Sequence, residues 1–294
     1  MSPVPDAQPQ SRRSVLVIGA TGRVGRVLVG QLLEADVEVR ALTRRPAEAA
    51  FPAAVQVVAG DLNEPQSLDA ALNGVDAVFL LWTAAPSAAA AAIERIASHA
   101  RRIVFLSSPH TTPHPFFQQP NPMAAFHAEM ERLIAATGVE STIIRPGMFA
   151  ANSRLWWGAS IQNGDVVHWP YAAAQTAPID ERDIAAVATR ALSTDDCVGD
   201  DYVLTGPEAL SHAEQVGIIG DVLGRQLRYD EMSPDEFRRR MPPAAAEMLL
   251  AAWSASIGHP AWVTTTVADV TGIPARTFRD WVTDHADAFR SRPS

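Results

Sequence analysis

Hydrophobic positions along the chain follow two alternating rhythms. Val15-Leu16-Val17-Ile18 is a continuous apolar run that stops at Gly19, the pattern of a strand buried on both faces. Val24, Val27, Leu28, Leu32 and Ala35 then recur at helical spacing. Val37 to Leu42 alternates as a second strand, Val55 to Val58 gives a third ahead of Gly60-Asp61, and Val75 to Trp82 a fourth. Residues 87–99 read as an alanine-rich helix, Ile103 to Leu106 as a fifth strand, and 109–122 as a proline-rich loop. A helix from Met123 to Thr137 and a sixth strand from Ser141 to Arg145 follow. Strands alternating with helices at this spacing predict an α/β fold, a doubly wound parallel sheet with right-handed crossovers. Ligands of such sheets sit beyond the carboxyl ends of the strands, so the residues that follow each strand become the candidates.

Beyond residue 150 the pattern loosens. Residues 151–175 carry Trp156, Trp157, Trp169 and Tyr171 with little periodicity. Residues 177–205 return to helix and strand, and 207–294 read mostly as helix, broken at Pro242-Pro243, His259-Pro260 and Gly272. The organisation this predicts is a flexible tail over 1–13 and a dinucleotide-binding Rossmann core over 14–150, rejoined by 177–205. A small, mostly helical substrate region is drawn from 151–176 and 206–294.

Composition removes several chemistries. The chain has 294 residues, 47% hydrophobic, with a net charge of −9; all 24 basic residues are arginine and none is lysine. A P-loop, a Schiff-base mechanism and a Tyr-x-x-x-Lys dehydrogenase dyad each need a lysine and are excluded. The single cysteine, Cys197, rules out a disulfide framework and fits a reducing cytosol. The acidic balance argues against a nucleic-acid partner. No apolar run reaches the roughly 18 residues of a membrane span, so no membrane partner is expected. Ser11-Arg12-Arg13-Ser14 resembles a twin-arginine export signal, but Arg23 and Arg26 cut its apolar run short. That run reads as the first strand, and a cytoplasmic monomer or homodimer is expected. Gly-x-Ser-x-Gly is absent. His110 and His114 have His-x-x-x-His spacing but straddle the proline-rich loop without a carboxylate at fixed spacing, so no metal is expected.

Gly19-Ala20-Thr21-Gly22-Arg23-Val24-Gly25 is Gly-x-x-Gly-x-x-Gly between a predicted strand and a predicted helix. Gly19 permits the turn, Gly22 lets backbone approach a pyrophosphate, and Gly25 lets helix and strand pack closely. The pyrophosphate then meets the free N–H groups of the helix start. An NAD site usually has Asp or Glu about 20 residues on, for the ribose 2′-hydroxyl. Here Thr43 stands there, followed by Arg44 and Arg45, which suits a 2′-phosphate and favours NADPH/NADP+. The alternative is that the arginines are a solvated loop pair. Asp61, followed by Leu62, is placed either to contact the adenine amino group or to cap the next helix.

These residues resemble the NmrA-like group of atypical short-chain dehydrogenases/reductases, together with Phe105-Leu106-Ser107-Ser108, Arg145-Pro146-Gly147-Met148-Phe149 and Leu204-Thr205-Gly206-Pro207. The resemblance covers about residues 14–235 and implies NADP(H) binding by a Rossmann domain. It puts Pro146, Gly147 and Met148 beside the nicotinamide carboxamide, and Leu81, Trp82 and Thr83 along its ribose. Against the wider superfamily, the position of the usual tyrosine falls at Met123 and that of the lysine at His127.

Within that frame, His127 is the best proton donor by its titration range, or else a packed helix histidine. Ser107 and Ser108 follow the fifth strand and can bond a substrate carbonyl or the nicotinamide ribose, or simply end a strand. Trp82, Phe149, Trp156, Trp157 and Trp169, with Trp253 and Trp262, either wall an aromatic substrate pocket or form core. The leading expectation is an NADPH-dependent reductase of a ketone or quinone carbonyl on an aromatic or polycyclic small molecule, in natural-product tailoring such as antibiotic biosynthesis. The alternatives are an iminium or alkene reductase, or a non-catalytic NADP(H) sensor.

Overall fold

The computed structural model describes residues 12–290. The tail expected over 1–13 lies outside them except for Arg12 and Arg13, and Arg13 pairs with Asp195 at 2.9 Å. The core runs β1 (Ser14–Ile18), α1 (Arg23–Glu34), β2 (Glu38–Thr43), β3 (Gln56–Ala59), α2 (Asp69–Leu72), β4 (Ala77–Leu80), α3 (Ala89–Ala97), β5 (Arg102–Leu106), α4 (Pro122–Thr137) and β6 (Glu140–Pro146). There follow α5 (Asn152–Asn163), β7 (Val166–Trp169), β8 (Gln175–Thr176), α6 (Glu181–Ser193), β9 (Asp201–Leu204), β10 (Leu210–Ser211), α7 (His212–Leu223) and β11 (Arg228–Glu231). The chain closes with α8 (Pro234–Arg240), α9 (Pro243–Ser256), α10 (Thr266–Thr271) and α11 (Phe278–Asp284).

Seven parallel strands form the main sheet in the order β3-β2-β1-β4-β5-β6-β9. The order reverses at β1, so the crevice between β1 and β4 is the switch point where a dinucleotide sits. Alternation sorts the side chains of each strand. Val15, Val17, Phe79 and Val104 pack with Val24 and Leu28 of α1 and Ile184 of α6. Leu16, Ile18, Leu80 and Phe105 pack with Ile93 of α3 and Ile134 of α4 on the other face. The two faces thus form separate cores, and burial of both leaves no polar side of the sheet to read from.

The remaining elements build a second body over the carboxyl ends of β5 and β6. Its core holds Trp157, Trp169, Trp253, Phe237, Phe278 and Trp281. Its boundary is not where the sequence divides: Val267 of α10 packs into the Rossmann core. The sequence pattern also missed α5. Leu155 is 63% exposed while Ser153 and Gly158 are buried beside Trp157 and Ile161, so the inner face mixes polar, small and apolar residues and carries no clean period.

Each body buries a titratable side chain. Arg102, 1% exposed, donates to the carbonyls of Ala191 and Thr194 and pairs with Asp195 at 2.6 Å. Its hydrogen bond, and then that of Arg13, holds Asp195 well below the usual carboxylate range. His212, fully buried among Trp156, Trp157 and Trp253, is pushed down to about 4 by burial. A histidine held neutral in the fold contributes full stability above its unfolded value of about 6.5 and loses it as pH falls toward 4. Urea unfolding of the wild type and His212→Phe at pH 7.5 and pH 4.5 should show the variant less sensitive to acid by on the order of 2–3 kcal/mol. Equal acid sensitivity would place His212 outside the balance.

Candidate active site

The β1–α1 turn is set by backbone geometry. Gly19 has φ of 86°, in the left-handed region, and its carbonyl accepts the Gly22 N–H at 2.9 Å. A Cβ at residue 25 would stand 2.2 Å from the Gly19 oxygen, so only glycine brings α1 this close to β1. The helix start, capped by Gly22 without a side-chain bond, therefore opens onto a groove of 220 Å³. Gly19, Thr21, Gly22, Thr43, Arg44, Arg45, Asp61, Leu62, Leu81 and Thr83 all line this groove. Arg23 and Val24 do not: Arg23 faces solvent and Val24 is buried in the core, so only their backbone can serve a pyrophosphate. The glycine cradle, the free helix N–H groups and the arginines fit a dinucleotide.

At the adenosine end, Arg45 pairs with Glu48 at 2.8 Å and donates its backbone N–H to Thr43 Oγ1. Arg44 is exposed and makes no hydrogen bond or ion pair among the described residues. Asp61 both lines the groove and holds its own turn, its Oδ1 accepting the Asn63 N–H at 2.9 Å.

At the other end, the loop after β5 and the helix α4 meet. Ser108 Oγ lies 2.9 Å from His127 Nδ1. His127 packs on Phe105 and Phe126, and burial, then the charge of His110, hold it below an ordinary histidine, while Glu131 acts the other way. Ser107 is turned differently: its hydroxyl donates to Glu131 Oε1. Glu131 is clamped by Arg145, which donates Nε to Oε1 at 2.9 Å and a second N–H to Oε2 at 2.7 Å. Arg145 also pairs with Asp201 at 2.9 Å. His110 accompanies them, its Nδ1 3.0 Å from the Ser108 carbonyl and its Nε2 3.6 Å from Glu131 Oε2. Met123, in the position assigned to the missing tyrosine, is 55% exposed on the first turn of α4.

A cavity of 100 Å³ lies over this cluster, with Ser108, His110, Gln119 and Asn121 as its polar lining and Phe116, Phe117, Met148, Met248, Leu249 and Ala252 among its apolar walls. A narrow slot shares Phe116, Phe117 and Met148 with it and adds Gly147, Thr205 and Trp262. His127 lines neither; it stands behind Ser108. Pro146 is buried at the end of β6, and Phe149 bridges to Ile179 beneath the cavity floor.

The tryptophans divide. Trp157 and Trp253 are fully buried, and Trp169 is 8% exposed. With Trp156 they form a mutually packed cluster, Trp156 stacking on Trp169 at 5.9 Å between ring centroids. They line neither the cavity nor the slot and act as the floor of the second body. Trp82 donates its indole N–H to the Ala84 carbonyl and packs against Phe126. Only Trp262 of the set reaches the slot. His110 and His114 bond different carbonyls, those of Ser108 and Pro260.

Sequence spacing did not pair His110, Glu131 and Arg145. They come from a loop, a helix and a strand, and only the parallel register of β5 on β6 brings them together.

The NAD(P)H-binding family profile matches residues 19–195. The chain belongs to this family, in its NmrA-like, atypical short-chain dehydrogenase/reductase branch. It is 37% identical over 286 residues to the (4-alkanoyl-5-oxo-2,5-dihydrofuran-3-yl)methyl phosphate reductase of Streptomyces griseus, covering 94% of this chain and 99% of that one. It is 34% identical over 285 residues to the NAD(P)H azoreductase of Xenophilus azovorans, with 94% and 99% covered. Among solved structures, the NADPH complex of an Escherichia coli quinone oxidoreductase superposes with a TM-score of 0.79 at 22% identity, over 92% of this chain and 99% of that one. The protein is thus an NAD(P)H-dependent oxidoreductase with a Rossmann fold. Among the described residues no helix is long and apolar enough to cross a membrane.

The close approach at the turn yields a paired test. Gly25→Ala should lower thermal stability by roughly 1–3 kcal/mol and weaken dinucleotide binding. Gly30→Ala, on the same helix with open space around it, should leave binding intact and stabilise by about 0.5–1 kcal/mol. Equal behaviour of the two variants in melting and dinucleotide titration would contradict the account of the turn.

Proposed function

We propose that this protein is an NADPH-dependent reductase of carbonyl groups, quinone or ketone, on uncharged aromatic or polycyclic small molecules. The observation that carries the reading is the pairing of an apolar cavity with a serine–histidine pair at its floor, at the nicotinamide end of a groove ending in arginines. NADPH, when bound, supplies the hydride. The residues of the chain do the rest. Arg44, with no other partner, is free to take the 2′-phosphate, and Thr43 leaves no carboxylate to repel it. Ser108 meets the acceptor oxygen, and His127 fixes the direction of the serine hydroxyl. Phe116, Phe117 and Met148 hold the ring system and exclude water. Ser107, occupied by Glu131, is a positioning group and not a substrate contact.

The Streptomyces griseus relative, whose name describes a dihydrofuranyl methyl phosphate as substrate, favours a second reading, reduction of a conjugated alkene. No arginine lines the cavity here to receive a substrate phosphate, which supports an uncharged acceptor. The same relative supports a place in natural-product tailoring.

Purified protein mixed with NADPH and a panel of quinones and polycyclic ketones should consume the nicotinamide absorbance. Its persistence with every acceptor would defeat the reading. Arg44→Ala should weaken NADPH binding by roughly 1.5–3 kcal/mol and leave NADH binding nearly unchanged. Equal losses would remove the 2′-phosphate role. Ser108→Ala and His127→Ala should each lower kcat, with the double variant little worse than Ser108→Ala, because the two act as one unit. Additive losses would separate them.

A further inference from the structure

Resting on that reductase reading, the geometry points to His110 as the group that protonates the reduced substrate. Its two ring nitrogens have different partners. Nδ1 lies 3.0 Å from the Ser108 carbonyl oxygen, which can only accept, so Nδ1 carries a hydrogen. The ring is thereby oriented with Nε2 toward Glu131 Oε2, 3.6 Å away. That distance is too long for a hydrogen bond that would hold an Nε2 proton on the carboxylate. Nε2 is therefore not engaged in a hydrogen bond to Glu131, and His110 lines the cavity.

The acceptor it can reach is the occupant of the cavity. His110 and Ser108 both line it, whereas His127 lies behind Ser108. Glu131 cannot swing to take the proton for itself. Both its oxygens are held by Arg145, and Oε1 also by Ser107. Arg145 in turn is fixed by Asp201. The charged and titratable groups facing His110 are therefore His127 and Glu131 from α4, with Arg145 of β6 and Asp201 of β9 behind Glu131. Across the cavity, α9 presents Met248, Leu249 and Ala252 and no titratable group. The site thus holds one carboxylate, clamped, and one imidazole beside the substrate.

When the carbonyl carbon gains a hydride, the π pair of the C=O bond moves to oxygen. That oxygen forms an O–H bond with the proton of His110 Nε2, whose N–H bond breaks, leaving neutral imidazole with its hydrogen on Nδ1. Water reprotonates Nε2 between turnovers. Ser108 positions the same oxygen, its carbonyl holds the Nδ1–H tautomer, and Glu131 is a positioning residue on the Nε2 side of the ring.

Two measurements test this. Nitrogen-15 NMR of the cofactor-free protein, with His110→Gln identifying the signal, should show neutral His110 as the Nδ1–H tautomer; a neutral Nε2–H tautomer would overturn the assignment. In turnover with NADPH and a quinone, His110→Gln should lower kcat by roughly 10²–10⁴-fold with NADPH affinity unchanged, and should abolish the fall in rate at alkaline pH. A His110→Gln enzyme with the wild-type kcat and pH profile would overturn the proposal while leaving the reductase reading intact. A wild-type protein inactive with every acceptor would remove the reductase reading itself, and the proton donor with it.

Discussion

The carbonyl oxygen of Gly19 occupies the space where any side chain at residue 25 would begin, and the rest of the molecule is arranged around that approach. Because α1 lies so close to β1, its first N–H groups open directly into the crevice at the switch point of the sheet. The same closeness lets α1 pack along α6, whose buried first turn carries Asp180, Glu181 and Asp183. Those carboxylates receive Arg276 and the indole of Trp281, so the C-terminal helices are tied to the face that α1 defines. Burial pushes Asp183 up to about 6, against the backbone N–H of Arg276 that it accepts.

A chain with no lysine manages its buried charge through guanidinium geometry. Arg102 and Arg145 are both nearly inaccessible, and each satisfies several acceptors at once from one planar fork. An ammonium would carry the charge but not the paired, directional bonds that keep Glu131 immobile. The absence of lysine removes the dyad of the wider superfamily, and arginine supplies a different arrangement: a carboxylate, Glu131, clamped by Arg145 beside the His110 imidazole.

The sheet was legible because its central strands β1, β4 and β5 are buried throughout and read as continuous apolar runs. The cofactor groove was legible because three glycines at fixed spacing have a backbone reason to be there. Helix α5 was not, since its inner face carries Ser153 and Gly158 while Leu155 faces out. The tryptophans were half legible: their number pointed to an aromatic body, but the ring contacts make most of them its core and leave Trp262 at the edge of the slot. His127 lies beside Ser108, which lines the cavity, and does not line the cavity itself. His110 was seen only as a possible metal ligand, because its partners lie on α4 and β6 and no local spacing encodes them.

Taken together, the arginine-ended groove, the apolar cavity and the serine and histidines at its floor make one central claim: a hydride passes from NADPH to a carbonyl carbon held over Ser108. The most direct test is a single turnover with NADPH deuterated at the transferable C4 position, followed by analysis of the product. The account predicts deuterium bonded to the former carbonyl carbon, or on the quinone system an acceptor reduced with loss of deuterium from the cofactor and a primary isotope effect on the rate. Cofactor recovered with its deuterium intact, in the presence of bound acceptor, would contradict it.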